Sequence, residues 1–304
     1  MPVPPIIQVR NLRKVYRIGS EKVVALNSIN LEIEKGQICC ILGTSGSGKS
    51  TLLNQLAGLE KPTKGKVLVG GMNISAMNER QLADFRKKNI GFVFQSYNLM
   101  AGMSALDNVA MPLMFRGIDR KTRDRLALKM LKQVGLKSRA GHKPTQMSGG
   151  QQQRVGIARA FVSKPRIIFA DEPTGNLDTK TTIEVMELMV RLARRYNETL
   201  VLVTHDVELA DYADRIVTIV DGNVVGDRMN TPKYVPTQEE PSSRKKQGGD
   251  PPAEEEPPVP EEAAEAPPAG EPSQPALLEE ERQKQKEPPA PSEAAGGEGV
   301  ADNG

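Results

Sequence analysis

The sequence predicts an α/β protein with a mainly parallel sheet, a smaller antiparallel β subdomain and a helical subdomain. Apolar runs of strand length alternate with helical patterns over residues 1–230, as in sheets covered on both faces. Strand signals disappear between Gln95 and Arg166, a stretch long enough for a helical subdomain at about 96–165. Residues 231–304 differ in composition and are predicted to be disordered.

Eight apolar runs are predicted as strands. They are Ile6–Val9, Asn30–Ile33, Ile38–Leu42, Lys66–Val69, Ile90–Phe94, Arg166–Ala170, Leu200–Thr204 and Arg215–Val220. Turn residues from Glu34 to Gly36, rather than a helix, separate the second run from the third, which indicates an antiparallel β element beside the parallel core. Helices are predicted from Thr51 to the glycine at 58 and over Arg120–Val134.

The C-terminal stretch carries a large negative charge. Residues 231–304 hold 17 acidic and 7 basic side chains, so their net charge is −10, whereas residues 1–230 carry +13. The same stretch contains 15 of the 23 prolines and one aromatic residue, Tyr234. Such a composition cannot bury enough apolar surface to offset the entropy lost on folding. It favours a disordered tail, which either increases solubility or serves as a docking or regulatory segment.

A glycine-rich stretch, GTSGSGKS at 43–50, follows the apolar run Ile38–Leu42 and precedes a helical pattern. This is the context in which the pattern GxxxxGK[ST] binds phosphate. Glycines let backbone N–H groups approach phosphate oxygens closely, and the helix N-terminus adds its positive dipole. We expect Lys49 to neutralise phosphate charge and Ser50 to bind Mg²⁺. The motif predicts a P-loop NTPase core.

Two further predicted strands end at polar residues. The run Arg166–Ala170 is followed by Asp171, which suits Mg²⁺ directly or through water, and by Glu172, which would act as general base on the attacking water. His205 follows the run Leu200–Thr204. Because the carboxyl ends of parallel strands open on one crevice, we expect His205 to bind the terminal phosphate.

A second helix start that can bind an anion lies at Ser148. Ser148 is a predicted N-cap, and Gly149 and Gly150 give access to the helix that begins near Gln151. Together with the phosphate loop and with Asp171 further along the chain, this motif resembles the signature of the nucleotide-binding subunit of ABC transporters. The resemblance covers residues 5–230 and implies an ABC-type ATP-binding domain there.

The resemblance implies a role for each matching residue, although Met147 stands where the family usually has leucine. The implied catalytic residues are Glu172 of the Walker B strand, the switch histidine His205 and the Q-loop glutamine Gln95. The implied metal ligands are Ser50, Gln95 and Asp171. The implied nucleotide-binding residues are Tyr16 (against adenine), the Walker A residues Gly43, Thr44, Ser45, Gly46, Ser47, Gly48, Lys49, Ser50 and Thr51, the signature residues Ser148, Gly149, Gly150 and Gln151, and the D-loop residue Asp178.

The resemblance also implies partners. In this family two subunits meet head to tail, and each ATP lies between the Walker A loop of one copy and the signature loop of the other. We therefore expect ATP and Mg²⁺ as cofactors, a second copy of the chain, and separate transmembrane permease subunits. Residues 95–117 are similar to the macrolide-exporter, lipoprotein-release and cell-division group, except that Asp107 stands where glutamate is commoner. Export or extrusion is favoured, and a signalling ATPase of the cell-division type is the alternative.

Composition bears on a rival protein class and on where the protein is located. A soluble ABC ATPase acting on nucleic acid is disfavoured because two cysteines, Cys39 and Cys40, cannot make a zinc site with four cysteines and no tandem domain is visible. No apolar stretch is long enough to span a bilayer, and no secretory signal is visible. The sequence predicts a cytoplasmic protein, peripheral on the cell membrane and not inserted into it. Some of the methionines Met100, Met103, Met111 and Met114 are hypothesised to line a groove for a cytoplasmic permease helix, and ordinary core packing is the alternative.

Overall fold

A computed structural model describes residues 4–236, which form ten strands and seven α-helices. The strands are β1 Ile7–Ile18, β2 Glu21–Ile33, β3 Ile38–Leu42, β4 Lys64–Val69, β5 Met72–Asn73, β6 Ile90–Phe94, β7 Ile167–Asp171, β8 Thr199–Thr204, β9 Arg215–Val220 and β10 Asn223–Met229. The helices are α1 Lys49–Leu56, α2 Glu79–Asn89, α3 Ala105–Phe115, α4 Arg120–Gln133, α5 Gly149–Phe161, α6 Thr179–Tyr196 and α7 Val207–Ala210.

The central sheet has six strands in the order β10-β9-β3-β8-β7-β6. The five strands from β9 to β6 run parallel, and β10 pairs antiparallel with β9 at one edge. The predicted α/β class with a mainly parallel sheet is confirmed. Five crossover-connected strands leave their carboxyl ends at one edge of the sheet, where ligands bind in folds of this type.

A second, antiparallel sheet has the order β2-β1-β4-β5. The sequence predicted such an element, but its strands are longer than the short runs that we identified, and the turn lies elsewhere. Gly19, in the left-handed region at φ +61°, turns the chain between β1 and β2, where Ile18 pairs with Glu21. Residues 34–36 instead carry the chain from the antiparallel sheet to the central one, so the turn there was wrongly interpreted as part of the antiparallel element.

Side chains of the central strands pack on both faces of the sheet. On one face, Cys40 and Leu202 pack against the helical part of the chain. On the other, Cys39, Ile41 and Phe169 pack against α1 and the antiparallel sheet. Because alternate residues point to opposite faces, continuous apolar strands are needed to fill both layers. Both cysteines are free and fully buried.

The helices α3, α4 and α5 fill the connection between β6 and β7 and form the predicted helical subdomain. Each begins at a side-chain cap: Ser104 for α3, Asp119 for α4 and Ser148 for α5. The α3 and α4 helices pack through buried residues such as Val109 and Leu131. Helix α5 lies between them and the central sheet, since its residues belong to the same core as those of β7 and β8.

The first residues beyond the predicted boundary at 230 still contact the domain. The Lys233 ammonium lies 4.3 Å from the centre of the Tyr212 ring, and the Lys233 amide donates to the Asp211 carbonyl at 2.8 Å. Tyr234 lies beside Tyr212, with ring centres 6.4 Å apart. The remainder of the stretch that we predict to be disordered, residues 237–304, lies outside the described residues. Across 4–236, none of the helices is both long enough and apolar enough to traverse a lipid bilayer.

Glu198 is buried at the junction between α6 and β8. It is 4% exposed, and neither carboxylate oxygen has a hydrogen-bond partner among the described residues. Burial raises the pKa of Glu198 to about 8, and the nearby charge of Lys164 opposes only part of this shift. Because an unpaired carboxylate is costly to bury, the folded protein keeps Glu198 protonated at neutral pH.

We expect Glu198→Gln to stabilise the protein increasingly as the pH rises from about 4.5 to about 8. The unfolded chain ionises Glu198 near pH 4.5 and the folded protein only near pH 8, so wild-type stability falls across this window. Urea unfolding should show that the variant's advantage is larger at pH 9 than at pH 6 by on the order of 2 kcal/mol. The exposed control Glu21→Gln should give the same difference at both pH values, and equal behaviour of the two variants would contradict the expectation.

Candidate active site

The glycine-rich loop after β3 is held against two other parts of the molecule. A Cβ on Gly43 would clash with the Ile219 carbonyl oxygen and lie 2.7 Å from Ser47 Oγ. Gly48 has φ +101°, and a Cβ there would lie 2.5 Å from the Ala25 carbonyl oxygen. The Ser47 carbonyl accepts from the Gly222 amide at 2.9 Å. These contacts require glycine at 43 and 48, and they fix the loop that the sequence predicts to bind phosphate.

Lys49 and Ser50 begin the helix that follows this loop. Lys49 is 6% exposed, and its ammonium donates to the Thr44 carbonyl at 2.7 Å, across the turn of the loop. Ser50 Oγ lies 3.4 Å from Asp171 Oδ1, at the end of β7. A buried ammonium, a helix N-terminus and a hydroxyl facing a carboxylate therefore meet at one end of the central sheet, as a site for a phosphate and a cation requires.

The environment of Asp171 favours a bound cation. Burial raises the pKa of Asp171 above its ordinary value, and the neighbouring charge of Glu172 raises it further. The hydrogen bond from Ser50 and the charge of Lys49 act in the opposite direction. A carboxylate that is costly to ionise alone is stabilised in its charged form by a divalent ion.

Glu172 and His205 lie together at the ends of β7 and β8. His205 Nδ1 is 2.8 Å from Glu172 Oε1. Glu172 has φ +46°, which is uncommon for a residue with a side chain, and its amide donates to the Val203 carbonyl at 2.9 Å. This backbone turns the Glu172 side chain out of the strand direction, so the carboxylate reaches the same cleft as the imidazole of the next strand.

Gln95 follows β6 and reaches the cleft from the opposite side of β7. Its carbonyl accepts from Asn176 Nδ2 at 3.1 Å. A Cβ on Gly175 would lie 2.7 Å from Gln95 Nε2, so a larger residue at 175 would move the glutamine side chain from this position. The loop after β7 thus holds Gln95 in place.

Apart from Ser47 and Asp171, these site residues line one cleft of about 1000 Å³. Its walls come from the glycine-rich loop, the start of α1, the ends of the parallel strands and the antiparallel sheet. Among the predicted site residues, those that line it are Gly43, Thr44, Ser45, Gly46, Gly48, Lys49, Ser50, Thr51, Gln95, Glu172 and His205. Ser47 is buried beneath the loop, where its Oγ has no hydrogen-bond partner within residues 4–236.

Tyr16 is placed beside this cleft but outside its lining residues. Its hydroxyl donates to Glu60 Oε2 at 2.7 Å, and the Lys14 ammonium lies 5.0 Å from the ring centre. Burial, followed by the bond to Glu60, raises the pKa of the Tyr16 hydroxyl, which interacts also with Thr51 of α1. A role of Tyr16 against adenine stays a prediction.

The signature residues lie elsewhere on the chain's surface. Ser148 Oγ accepts from the Gln151 amide at 3.3 Å and Gln151 Oε1 from the Ser148 amide at 3.2 Å, so the two close a capping box at the start of α5. A Cβ on Gly150 would lie 2.6 Å from Thr181 Cγ2, and Thr181 donates to Asp178 Oδ2 at 2.6 Å. Neither the signature residues nor Asp178 is among the residues that line the cleft.

A family model described as "ABC transporter" matches residues 26–175 of this chain. The lipoprotein-releasing system ATP-binding protein LolD of Geobacter metallireducens is 46% identical over 222 residues, which are 73% of this chain and 99% of that protein. The chain belongs to the ABC transporter ATP-binding family.

Another relative and a solved structure extend this similarity. The macrolide export ATP-binding/permease protein MacB of Chlorobaculum tepidum is 46% identical over 223 residues, which are 73% of this chain and only 34% of that protein. A dimeric structure of a post-hydrolysis state of an ATP-binding cassette, bound to ADP and Pi, superposes with a TM-score of 0.69 at 41% identity. That match covers 73% of this chain and 98% of the other.

The family, the fold class and the enzyme class predicted from the sequence are confirmed. The chain is an ABC-type ATPase, the ATP-binding subunit of a transporter, and the cleft at the ends of the parallel strands is the candidate for its nucleotide site. The sequence did not predict the wall beside the glycine-rich loop, which contains Val24 and Ala25 of β2 and the turn at Asp221 and Gly222. A signal for this turn was present, because an Asp-Gly pair after a strand favours a tight hairpin.

A second concavity of about 650 Å³ lies between β6, α2, α3 and α5. Phe92, Phe94, Met111, Pro112 and Phe115 line it on the apolar side. Of the four methionines of the hypothetical groove, Met111 lines this concavity, while Met100, Met103 and Met114 are exposed elsewhere on the same subdomain.

We expect Gly43→Ala to weaken ATP binding roughly 10-fold, because relieving the clash with the Ile219 carbonyl displaces the glycine-rich loop and costs about 1–3 kcal/mol. The measurement is titration with a fluorescent ATP analogue. Gly102→Ala is the matched control, since a Cβ at that position has open space around it. Unchanged affinity in a folded Gly43→Ala protein would show that the loop tolerates the displacement.

Proposed function

We propose that the chain is a Mg²⁺-dependent ATPase subunit that closes as a homodimer over two ATP molecules and drives a separate transmembrane permease of the export or extrusion type. The observation that carries this proposal is the separation of two motifs within one chain. The cleft contains the residues for phosphate and catalysis, while Ser148 to Gln151 lie outside its lining. A second copy must supply the signature loop if both motifs are to contact one nucleotide.

In this proposal the glycine-rich loop and Lys49 bind the phosphates of ATP. Thr44 to Gly48 would present their backbone N–H groups to the phosphates. Thr51, in the first turn of α1, lines the same cleft. The Lys49 ammonium, now bonded to the Thr44 carbonyl, would turn to the β- and γ-phosphates. Tyr16 would provide the aromatic surface for adenine.

The residues around Asp171 fit Mg²⁺. They supply hard oxygen ligands in small number, Ser50 Oγ and Asp171 Oδ1 with Gln95 nearby, and Mg²⁺ ordinarily takes the rest from phosphates and water. Residues 4–236 contain no group of three or more acidic, histidine or cysteine side chains placed to hold a metal by themselves. A bound Mg²⁺ would polarise the phosphate oxygens and offset their charge.

Glu172 and His205 carry the chemistry in this proposal. Glu172 would accept the proton of the attacking water, and His205, which lies against the same carboxylate, would bind the terminal phosphate. Gln95 would orient water and cation. Asp178, at the start of α6 beside Gly150, would face the second copy together with the signature loop.

Permease coupling is assigned to the concavity between β6 and α3. Apolar side chains line it, and Phe115 at its rim is 61% exposed. An amphipathic cytoplasmic helix of the permease would bury this surface. The proposal places the protein on the cytoplasmic face of the membrane, and MacB and LolD, the named relatives, favour a macrolide- or lipoprotein-type substrate over a signalling role.

We expect Glu172→Gln to bind Mg²⁺–ATP, to hydrolyse it at least about 100-fold more slowly than wild type, and to accumulate as a dimer. Light scattering after size-exclusion chromatography, with and without ATP, measures the dimer. The double variant with Lys49→Met is the control, and it should stay monomeric because it lacks the phosphate ligand. If Glu172→Gln stays monomeric at saturating ATP, the proposed homodimer is wrong. If it hydrolyses ATP at a near-normal rate, Glu172 is not the general base.

We expect Phe115→Glu to abolish co-purification with the permease while leaving the ATPase rate of the isolated subunit within about 2-fold of wild type. A charge at this exposed rim position opposes burial against an apolar helix but does not affect the core. Ile18→Glu is the control, because Ile18 is 67% exposed on the antiparallel sheet. If both variants retain the permease equally, the partner docks elsewhere.

A further inference from the structure

Gln153 is a fully buried polar side chain on α5, five residues after the signature serine. Its Nε2 donates to the Phe94 carbonyl at 3.3 Å and also to the Pro173 carbonyl. Phe94 immediately precedes Gln95, and Pro173 immediately follows Glu172. One amide group therefore holds the main chain beside two residues that we place in catalysis.

Arg159, six residues after Gln153 on α5, bonds to the loop that follows Gln95. Its guanidinium donates to the Tyr97 carbonyl at 2.9 Å and to the Asn98 carbonyl at 2.6 Å. Both of these residues are in the left-handed region, with φ +58° and +47°, where side chains are disfavoured. The loop after Gln95 thus has a strained backbone that bonds to α5 maintain.

The N-terminal end of α5 touches this loop as well. A Cβ on Gly149 would lie 2.8 Å from the Tyr97 hydroxyl oxygen, so the second signature residue lies against the hydroxyl end of Tyr97, two residues after Gln95. We call residues 95–98 the Gln95 loop. Helix α5 contacts this loop through Gly149 and Arg159, and through Gln153 it contacts the strand end that immediately precedes the loop. Movement of α5 as a rigid unit must displace the loop.

Gln153 makes hydrogen bonds through only one end of its side-chain amide, and the need to fill space in the core does not explain a glutamine at this position. Its Oε1 is buried and has no hydrogen-bond partner in the described part of the chain. An apolar side chain of the same length would fill the space without that cost, and leaving a buried acceptor unpaired is unfavourable. The two bonds made by Nε2 offer a reason for glutamine at this position.

We propose that Gln153 and Arg159 are positioning residues that link the signature loop to Gln95 and Glu172 of the same chain. The inference rests on the proposed dimer, in which the signature loop of one copy contacts the nucleotide of the other. ATP bound at the second copy's site would contact the signature loop of the first copy and so set the position of the first copy's α5. Helix α5 would in turn set the positions of Gln95 and Glu172 in its own chain. The two ATP sites of the dimer are coupled through these side chains.

The test compares Gln153→Met with Gln55→Met. Both substitutions replace a buried helical glutamine by an apolar side chain of similar length, but the Gln55 amide of α1 has no hydrogen-bond partner within the described residues. We expect Gln153→Met to lower kcat about 10-fold or more, and to bring the Hill coefficient for ATP down towards 1 from a wild-type value between 1 and 2. Binding of a fluorescent ATP analogue to the monomer should change by less than about 2-fold.

Gln55→Met should keep the wild-type kcat and Hill coefficient. A purely structural role of Gln153 would lower the thermal midpoint without changing the Hill coefficient, and a folded Gln153→Met protein with wild-type cooperativity and kcat would overturn the proposal. If Gln153→Met does not fold, Arg159→Met decides the question. Its control is Arg116→Met, which removes a guanidinium bond to the Ser163 carbonyl, away from the Gln95 loop.

Glu172→Gln separates this inference from the function on which it rests. If that variant stays monomeric with ATP, the homodimer itself is wrong, whatever Gln153→Met does. If it forms dimers and Gln153→Met nevertheless retains full cooperativity, the dimer stands and the positioning role fails.

Discussion

Parallel pairing of β3, β8, β7 and β6 is the constraint on which the candidate nucleotide site depends. Their ends are level to within one residue, because Leu42 pairs with Thr204, Val203 with Asp171, and Asp171 with Phe94. The next residue of each strand therefore emerges at the same edge, and these residues are Gly43, His205, Glu172 and Gln95. A register shift of one residue would turn each side chain to the opposite face, so the sheet fixes the chemistry before any loop is considered.

Loops and helix α5 then refine what the strands bring together. The backbone of Glu172 leaves the strand conformation, Gly175 gives room to the Gln95 side chain, and α5 restrains the strained residues Tyr97 and Asn98. Strain at these positions persists only because the surroundings hold it, as is common where a site is preorganised. The helical subdomain thus holds the backbone around the candidate site, and its surface also carries the apolar concavity.

Sequence reasoning singled out the parts of the candidate site that depend on local motifs. The run Ile38–Leu42 with its glycine-rich loop, and the strand ends at Asp171 and His205, combine apolar periodicity with residues of known chemistry. It failed where partners are distant in the chain. The path of residues 34–36 between two sheets depends on tertiary packing, and the buried Gln153 resembles any glutamine of a helix until the carbonyls that it binds are known.

The two thiols of the chain occupy neighbouring positions of β3 and face opposite layers of the core. Burial raises the pKa of Cys39 to about 12 and that of Cys40 also far above its usual range, so neither forms a reactive thiolate at physiological pH. Maleimide probes and spin labels should therefore leave the native protein unmodified. A single cysteine introduced at any exposed position would report distances between two copies without removal of the natural ones.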